Sequence, residues 1–414
     1  MQHKIWVLSE LYFPEQTSTG YIITRIAEAL AEEFDVSVIT GPPTNFFKPE
    51  NAPKYEKRNN VTIFRCQGTS FDKDSLLGRV VNLITRSAAI FWKAFFNCRK
   101  NEVILVVTNP PLLPFVALLI KCLKGCKFVL LIHDVYPEIL VATSIIKPSS
   151  FIFKIGQIIN CILYTQASII ITIGRDMTKL VQDKLGEKKL EKIYYIPNWA
   201  DIDIVYPTDR NNNTLLKKLG LTNKFVVLYA GNIGRTHGIE DLVKVAEILK
   251  FKCNNIYFLI IGFGAKKEWL IKYVNKKDII NIIISDFFSS RNKQIITLNA
   301  GDVALISFVA NMAGISVPSR MYNQMAAGKP IIAVTDDWSE LAKVVKEENI
   351  GWVVQPGDIE GLVKTIEFAA EHPDLLAEMG ARAAKVAQTK YTFAQTKQAY
   401  QQLFKEIFNF QQKG

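Results

Sequence analysis

Apolar positions along the chain fall into two alternating patterns. Short unbroken runs, Lys4 to Ser9, Asp35 to Thr40, Thr62 to Arg65, Val103 to Val107, Phe128 to His133 and Ser168 to Thr172, read as strands buried on both faces. Between them lie stretches with apolar residues at helical spacing, such as Tyr21 to Phe34. Strand, helix and strand in that order predict parallel pairing, so the first half reads as a parallel sheet covered by helices. The second half repeats the pattern. Its strands are expected at Phe225 to Ala230, Ile256 to Ile261, Ile282 to Ile284, Val303 to Ile306, Ile331 to Val334 and Gly351 to Val354, with helices at Gly238 to Leu249 and Ile359 to Glu371.

Periodicity lapses around Ile196-Pro-Asn-Trp-Ala-Asp-Ile-Asp203 and the polar run Thr208 to Thr214, where turn-forming residues take over. The expected division is therefore a first α/β domain over 1–204, a second over 205–390, and a helical tail over 391–414 that could pack back on the first. With 414 residues, two cores are the natural outcome.

Composition changes this picture in three ways. A formal charge of +11 favours phosphate-bearing partners, which include nucleotides, an anionic membrane surface and nucleic acid. The six cysteines are scattered without metal-ligand spacing, so they read as free thiols in a reducing cytoplasm. The start, Met1-Gln-His-Lys-Ile-Trp-Val-Leu-Ser9, lacks the layout of a signal peptide, and no apolar run is long enough to span a bilayer.

In open parallel sheets ligands bind beyond the carboxyl ends of the strands, so candidate chemistry is sought there. The loop Glu10 to Gly20 follows the first strand, has Thr19 placed to cap the next helix, and departs from a dinucleotide fingerprint because Gly20 is its single glycine. His133-Asp134 ends a strand of the first domain; His133 could hydrogen-bond a sugar or move a proton, with Asp134 orienting it, or be a structural histidine. In the second domain, Gly231-Asn-Ile-Gly-Arg-Thr-His-Gly238 offers Asn232 and two cationic candidates, Arg235 and His237, for a diphosphate leaving group, or is a solvated surface loop. Gly262 and Gly264 should let backbone approach a ligand. No catalytic Ser-His-Asp set or zinc spacing occurs, and Asp201-Ile-Asp203 reads as a linker turn, so no required metal is expected.

The segment Gly314-Ile-Ser-Val-Pro-Ser-Arg-Met-Tyr-Asn-Gln-Met-Ala-Ala-Gly-Lys-Pro330 carries the most chemistry. Pro318 suits the first turn of a helix, Gly328 a left-handed stop, and Pro330 bars continuation. Gly314, Ser316 and Val317 would then present backbone to a ligand, and Arg320 would add a charge for phosphate. An ordinary loop, helix and strand is the alternative.

Taken together, Phe13 to Gly20, Thr108-Asn-Pro-Pro111, Leu131 to Glu138, Ile196-Pro-Asn-Trp199, Gly231 to Gly238 and Pro318 to Pro330 resemble the family 4 retaining glycosyltransferases, in the branch of colanic-acid-type polysaccharide assembly. The resemblance implies the GT-B fold: two facing Rossmann-like domains, a cleft between them, and a C-terminal helix packed on the first. It implies transfer of a sugar from a nucleotide donor, UDP- or GDP-linked, to a glycan or polyprenyl-diphosphate-linked saccharide, with retention of configuration. Nucleic acid is not an expected partner. Two departures stand out. Where the family commonly carries a Glu pair this chain has Ile315 and Asn323, and its usual phosphate-binding Arg and Lys fall at Asn232 and His237. Asn323 could still bind ribose, and Glu340 is another donor-side candidate or a helix-surface carboxylate. The departures keep open a noncatalytic nucleotide-binding partner, and the architecture keeps open a nucleotide-sugar epimerase. Finally, Leu83 to Lys100 and Phe151 to Tyr164 mix apolar residues with cations at helical intervals, fitting either core or an anionic membrane interface.

Overall fold

The computed structural model describes residues 3–15, 17–43, 52–71, 76–285 and 291–412; Gln16, in the first loop, lies outside them. The chain divides into two compact units, one of Met1–Pro137, Pro148–Pro197 and Ala394–Gly414, the other of Glu138–Lys147 and Asn198–Phe393.

The first unit is built on β1 (Lys4–Ser9), β2 (Asp35–Thr40), β3 (Tyr55–Arg58), β4 (Val61–Arg65), β5 (Val103–Val107), β6 (Lys127–Ile132), β7 (Ile169–Thr172) and β8 (Ile193–Tyr195). They pair in the order β3-β4-β2-β1-β5-β6-β7-β8, parallel throughout except β3 with β4. Chain order reverses between β1 and β5, where Val7 stands opposite both Val38 and Leu105. That reversal opens a crevice at the carboxyl ends of the two strands.

The second unit holds β9 (Phe225–Ala230), β10 (Ile256–Ile261), β11 (Ile282–Ser285), β12 (Val303–Ser307), β13 (Ile331–Val334) and β14 (Gly351–Val354). Their order, β11-β10-β9-β12-β13-β14, is parallel throughout, and its reversal lies between β9 and β12. Both faces of this sheet are buried. Along β9, Val226, Leu228 and Ala230 enter one apolar cluster and Phe225, Val227 and Tyr229 the other. A strand buried on both sides has no polar alternation, which is why these runs read as unbroken.

The pattern misses three elements. Strand β3, Tyr-Glu-Lys-Arg, is a polar sheet edge, and β8 has three residues. The helix Pro373–Lys390 contrasts weakly because alanine fills much of its buried side. The first helix is Ser18–Leu30, and its cap is Thr17 rather than Thr19: Thr17 is extended at φ −61 and ψ 157, and its side chain accepts from the Gly20 N–H. The last helix, Phe393–Gln412, packs within the first unit, where Gln401 Nε2 donates to the Ala29 carbonyl at 2.8 Å and Phe408 stacks on His3.

Candidate donor site

The segment after β9 leaves the sheet at the reversal point and enters the helix Ile239–Lys252. It is laced to the loop after β10. The Gly231 N–H donates to the Ile261 carbonyl at 2.9 Å, the Ile233 N–H to Phe263 at 2.7 Å, and the Lys266 N–H returns to Ile233 at 3.0 Å. This lacing accounts for two glycines. A Cβ on Gly262 would stand 1.8 Å from the Gly231 oxygen, and one on Gly264 would stand 2.3 Å from the Ile233 oxygen. The close approach that the sequence suggests for a ligand is thus made by the neighbouring loop. Gly238 serves a similar end, since its Cβ would lie 2.8 Å from Ser307 Oγ at the end of β12.

Arg320 reaches the same corner. Its guanidinium carbon sits 4.7 Å from the centroid of the Tyr229 ring, and Nη2 donates to the Ser307 carbonyl at 3.3 Å. Nε and Nη1 are buried without a hydrogen-bond partner. Gly231 makes the room, because a Cβ there would come 2.7 Å from Nη1. The Tyr229 hydroxyl donates to the Asn232 carbonyl at 2.6 Å, so the ring beneath the guanidinium is pinned to the loop. These contacts join β9, its loop, the end of β12 and the helix Arg320–Ala326 around one cation.

The other loop residues divide by environment. Arg235 is exposed and makes no ion pair or hydrogen bond among the described residues, and Asn232 is exposed as well. His237 is not the second cation. Burial first, then the Arg320 and Lys266 charges, hold its imidazole well below the ordinary range, so it is neutral at pH 7. Its Nδ1 lies 2.7 Å from Thr236 Oγ1, and its ring stands edge-on to Phe308 at 5.4 Å.

In the segment 314–330 the helix is short. It begins at Arg320, two residues after Pro318, because Pro318 and Ser319 form a preceding turn in which the Met321 N–H reaches the Pro318 carbonyl at 3.0 Å. Gly314 adopts φ 76, and Ser316 is half-buried between Ile315 and Val317, both buried. Asp336 braces the loop, its carboxylate accepting from the N–H groups of Asn311 at 3.0 Å and Ala313 at 2.9 Å. Asn323, suggested by the sequence as a ribose ligand, is engaged within the protein. Its Oδ1 accepts the Asp201 N–H at 2.8 Å, and its Nδ2 lies 3.3 Å from both Asp201 Oδ2 and Gln294 Oε1. Asp201 in turn pairs with Arg291 at 3.2 Å, so this aspartate anchors a polar cluster rather than merely closing a turn. Glu340 is not a surface carboxylate: it is 1% exposed, in the first turn of the helix Glu340–Glu347 capped by Ser339.

The first unit gathers its own loop residues. Thr108 Oγ1 accepts the N–H groups of both His133 at 3.1 Å and Asp134 at 3.2 Å, tying the ends of β5 and β6 together. His133 is buried, which pushes its pKa down to about 4, and its Nε2 has no hydrogen-bond partner. Asp134 borders a small recess with Thr108, Pro111, Tyr136 and Asn160. Gly20 gives space to the buried Glu15, whose Cγ would lie 2.9 Å from an added Cβ. The loops after β1, β5 and β6 each contain a cis proline, at Phe13-Pro14, Asn109-Pro110 and Tyr136-Pro137. Among the described residues no group of three or more His, Cys, Asp or Glu is arranged to hold a metal ion.

Sequence reasoning named neither Tyr229, Ser307, Thr108 nor Asp336 in these roles. Thr108 alone carried a signal, as the first residue of Thr-Asn-Pro-Pro.

Two sheets with this strand order, each with its loops at a reversal point, define a pair of Rossmann-like units. Residues 211–386 match the family of glycosyl transferases group 1. Over 389 residues the chain is 29% identical to the probable glycosyltransferase WbjE of Pseudomonas aeruginosa, covering 94% of each protein. It is 26% identical over 387 residues to the putative colanic acid biosynthesis glycosyl transferase WcaI of Escherichia coli strain K12, covering 88% of this chain and 92% of that one. Among solved structures, sucrose-phosphate synthase from Thermosynechococcus elongatus matches with a TM-score of 0.78 at 17% identity, covering 99% of this chain and 100% of that one. Anabaena Alr3699/HepE in complex with UDP and glucose matches with a TM-score of 0.73 at 15% identity, covering 98% and 100%. The group 1 match lies within the second unit, and over nearly its whole length the chain is similar to glycosyltransferases. It is a glycosyltransferase of the GT-B fold.

Proposed function

We propose that this enzyme transfers a sugar from a UDP- or GDP-linked donor to a glycan or a polyprenyl-diphosphate-linked saccharide in cell-surface polysaccharide synthesis, retaining the donor's anomeric configuration. The observation that carries this reading is the buried, partner-free pair Nε and Nη1 of Arg320 at the reversal point of the second sheet. Buried donors without acceptors cost about 1–3 kcal/mol, more for a charged group, and a diphosphate oxygen would recover that cost. The UDP in the HepE structure and the colanic acid role in the WcaI name support the same donor and product classes.

The chemistry follows from where charge moves. As the bond from the anomeric carbon to the diphosphate oxygen breaks, negative charge gathers on the leaving group. On this reading the Arg320 guanidinium moves onto the leaving group and offsets that charge in place of a metal ion. The acceptor hydroxyl attacks from the face the diphosphate leaves, the new carbon–oxygen bond forms, and the acceptor proton passes to the departing diphosphate. His133, neutral at pH 7, offers Nε2 to a sugar hydroxyl. Gly231, Gly314, Ser316 and Val317 supply backbone on the donor side, and Arg235 adds a solvated charge nearby. The six free cysteines fit a cytoplasmic setting.

The test is incubation of the purified chain with UDP- and GDP-sugars and a lipid-linked saccharide, with the product's anomeric configuration read by proton NMR. A retained linkage is expected. Inverted product would overturn the stereochemical part, and free epimerised donor without acceptor would mark an epimerase.

A further inference from the structure

Three helices of the first unit, Leu76–Asn97, Leu113–Lys124 and Phe151–Gln166, pack in sequence, the second touching the other two. The first of them is inverted over its first half, beyond which Ile90 and Ala94 are buried. Leu77, Val81, Ile84, Trp92 and Phe96 recur at helical spacing and are exposed, Phe96 to 75%, while Asn82, Arg86 and Ser87 on the other side are buried. Two of these side chains are bonded inward: Arg86 Nη1 pairs with Glu10 at 2.6 Å, and Asn82 bonds Thr69 and the backbone of Phe71, whereas Arg86 Nε and Ser87 Oγ are buried without a partner. The polar side therefore has a reason to face inward, and the apolar side is left in water.

The third helix behaves alike. Only Leu163 and Tyr164 are buried, and Phe151, Ile155, Ile158 and Ile162 form an exposed stripe, Phe151 at 76%. Leu119 and Leu123 of the middle helix are also exposed. Monomeric proteins rarely leave large contiguous apolar patches uncovered.

Charge selects the occupant. None of the three helices contains an Asp or Glu, whereas Lys93, Lys121, Lys124 and Lys154 lie on them, Lys154 exposed beside the Phe151 stripe. A second copy of the chain would bring lysines against lysines across an isologous contact. No helix among the described residues is long and apolar enough to cross a membrane. Apolar residues interleaved with cations and free of acids match an interface of acyl chains under anionic headgroups.

We propose that these three helices form a docking face for an anionic lipid bilayer, with the aromatic and aliphatic stripes in the headgroup boundary and the lysines at phosphate level. The biological purpose rests on the reading of a lipid-linked acceptor, whereas the docking itself is tested without donor or acceptor. The full chain is floated on a density gradient with vesicles of phosphatidylglycerol and phosphatidylcholine, or phosphatidylcholine alone, at low and high salt. Flotation with the anionic vesicles is expected, weakening as salt rises. The double variant Phe96→Glu/Ile158→Glu should lose at least about tenfold in partitioning while its melting temperature and nucleotide binding hold, because both side chains are solvent-exposed. Absence of flotation at low salt, flotation of the variant equal to the parent, or a dimer that the variant dissolves while vesicles are ignored would each overturn the proposal. Nucleotide binding, measured separately, keeps the transferase reading apart from this result.

Discussion

The Oδ1 of Asn323 accepts the backbone N–H of Asp201 at 2.8 Å, across 122 residues of sequence. The same carboxamide faces the Asp201 carboxylate, which Arg291 also pairs with, so Asn323 holds the start of the second unit against the helix Arg320–Ala326. An asparagine that the sequence offers as a ribose ligand is thereby given a positioning role.

Asn323→Ala should therefore destabilise the protein by about 1–3 kcal/mol, the cost of leaving a part-buried N–H and carboxylate short of a partner. Thermal melting would fall, with nucleotide affinity of the folded protein changed little. An unchanged melting temperature together with a large loss of UDP or GDP affinity would return Asn323 to the ligand set.

Gly262 is fixed by a backbone neighbour that has no means of yielding. Because its Cβ would lie 1.8 Å from the Gly231 oxygen, Gly262→Ala must push the two loops apart. We expect a cost at or above the ~1–3 kcal/mol range for overpacking, seen as a lower denaturation midpoint. Gly231 also borders Arg320, so nucleotide affinity should drop in whatever fraction folds. A variant as stable as the parent would contradict the lacing of these loops.

His133 sets a pH dependence whose sign follows from its burial. Its folded pKa, about 4, lies below the ordinary 6.5, so between those values the unfolded chain binds the proton and the folded one does not. Stability is thus present above pH 6.5 and declines as pH falls towards 4, by on the order of 3 kcal/mol at ~1.4 kcal/mol per pH unit. Denaturant unfolding at pH 5 and pH 7, compared between the parent and His133→Gln, measures it. His237 acts in the same direction, so the variant should flatten the slope without abolishing it. Equal slopes in the two proteins would contradict the assignment.

Much of the fold was legible because both sheets are buried on two faces and write themselves as unbroken apolar runs; β9, β10 and β13 begin and end where those runs do. Legibility failed where burial left no apolar mark. The strand β3 reads as Tyr-Glu-Lys-Arg, and the helix Pro373–Lys390 packs through small residues, with Gly380 so close to Gly328 that a Cβ would meet its oxygen at 2.4 Å. In the site, Arg320 was visible as a cation but its aim was not, since that depends on Gly231 and Ser307 brought in from other strands. The neutral state of His237 and the inward-facing polar side of the helix Leu76–Asn97 likewise exist only after packing.

The two arginines of the donor corner differ in setting, and their variants should differ too. Arg235 is solvent-exposed, so Arg235→Ala should weaken nucleoside diphosphate binding only a few-fold, as a screened charge does. A loss in Arg235→Ala exceeding that in Arg320→Ala, read by the same titration, would reverse the ranking.

The most direct test of the account is calorimetric titration of the purified protein with UDP and GDP, without added metal, in the parent, Arg320→Ala and Arg320→Lys. Binding of one nucleotide by the parent is predicted, with a loss of about 10- to 100-fold in Arg320→Ala, the worth of a charged hydrogen bond in a buried site, and partial recovery in Arg320→Lys. Undiminished binding by Arg320→Ala, or no binding of either nucleotide by the parent, would contradict the claim that this guanidinium receives the donor diphosphate.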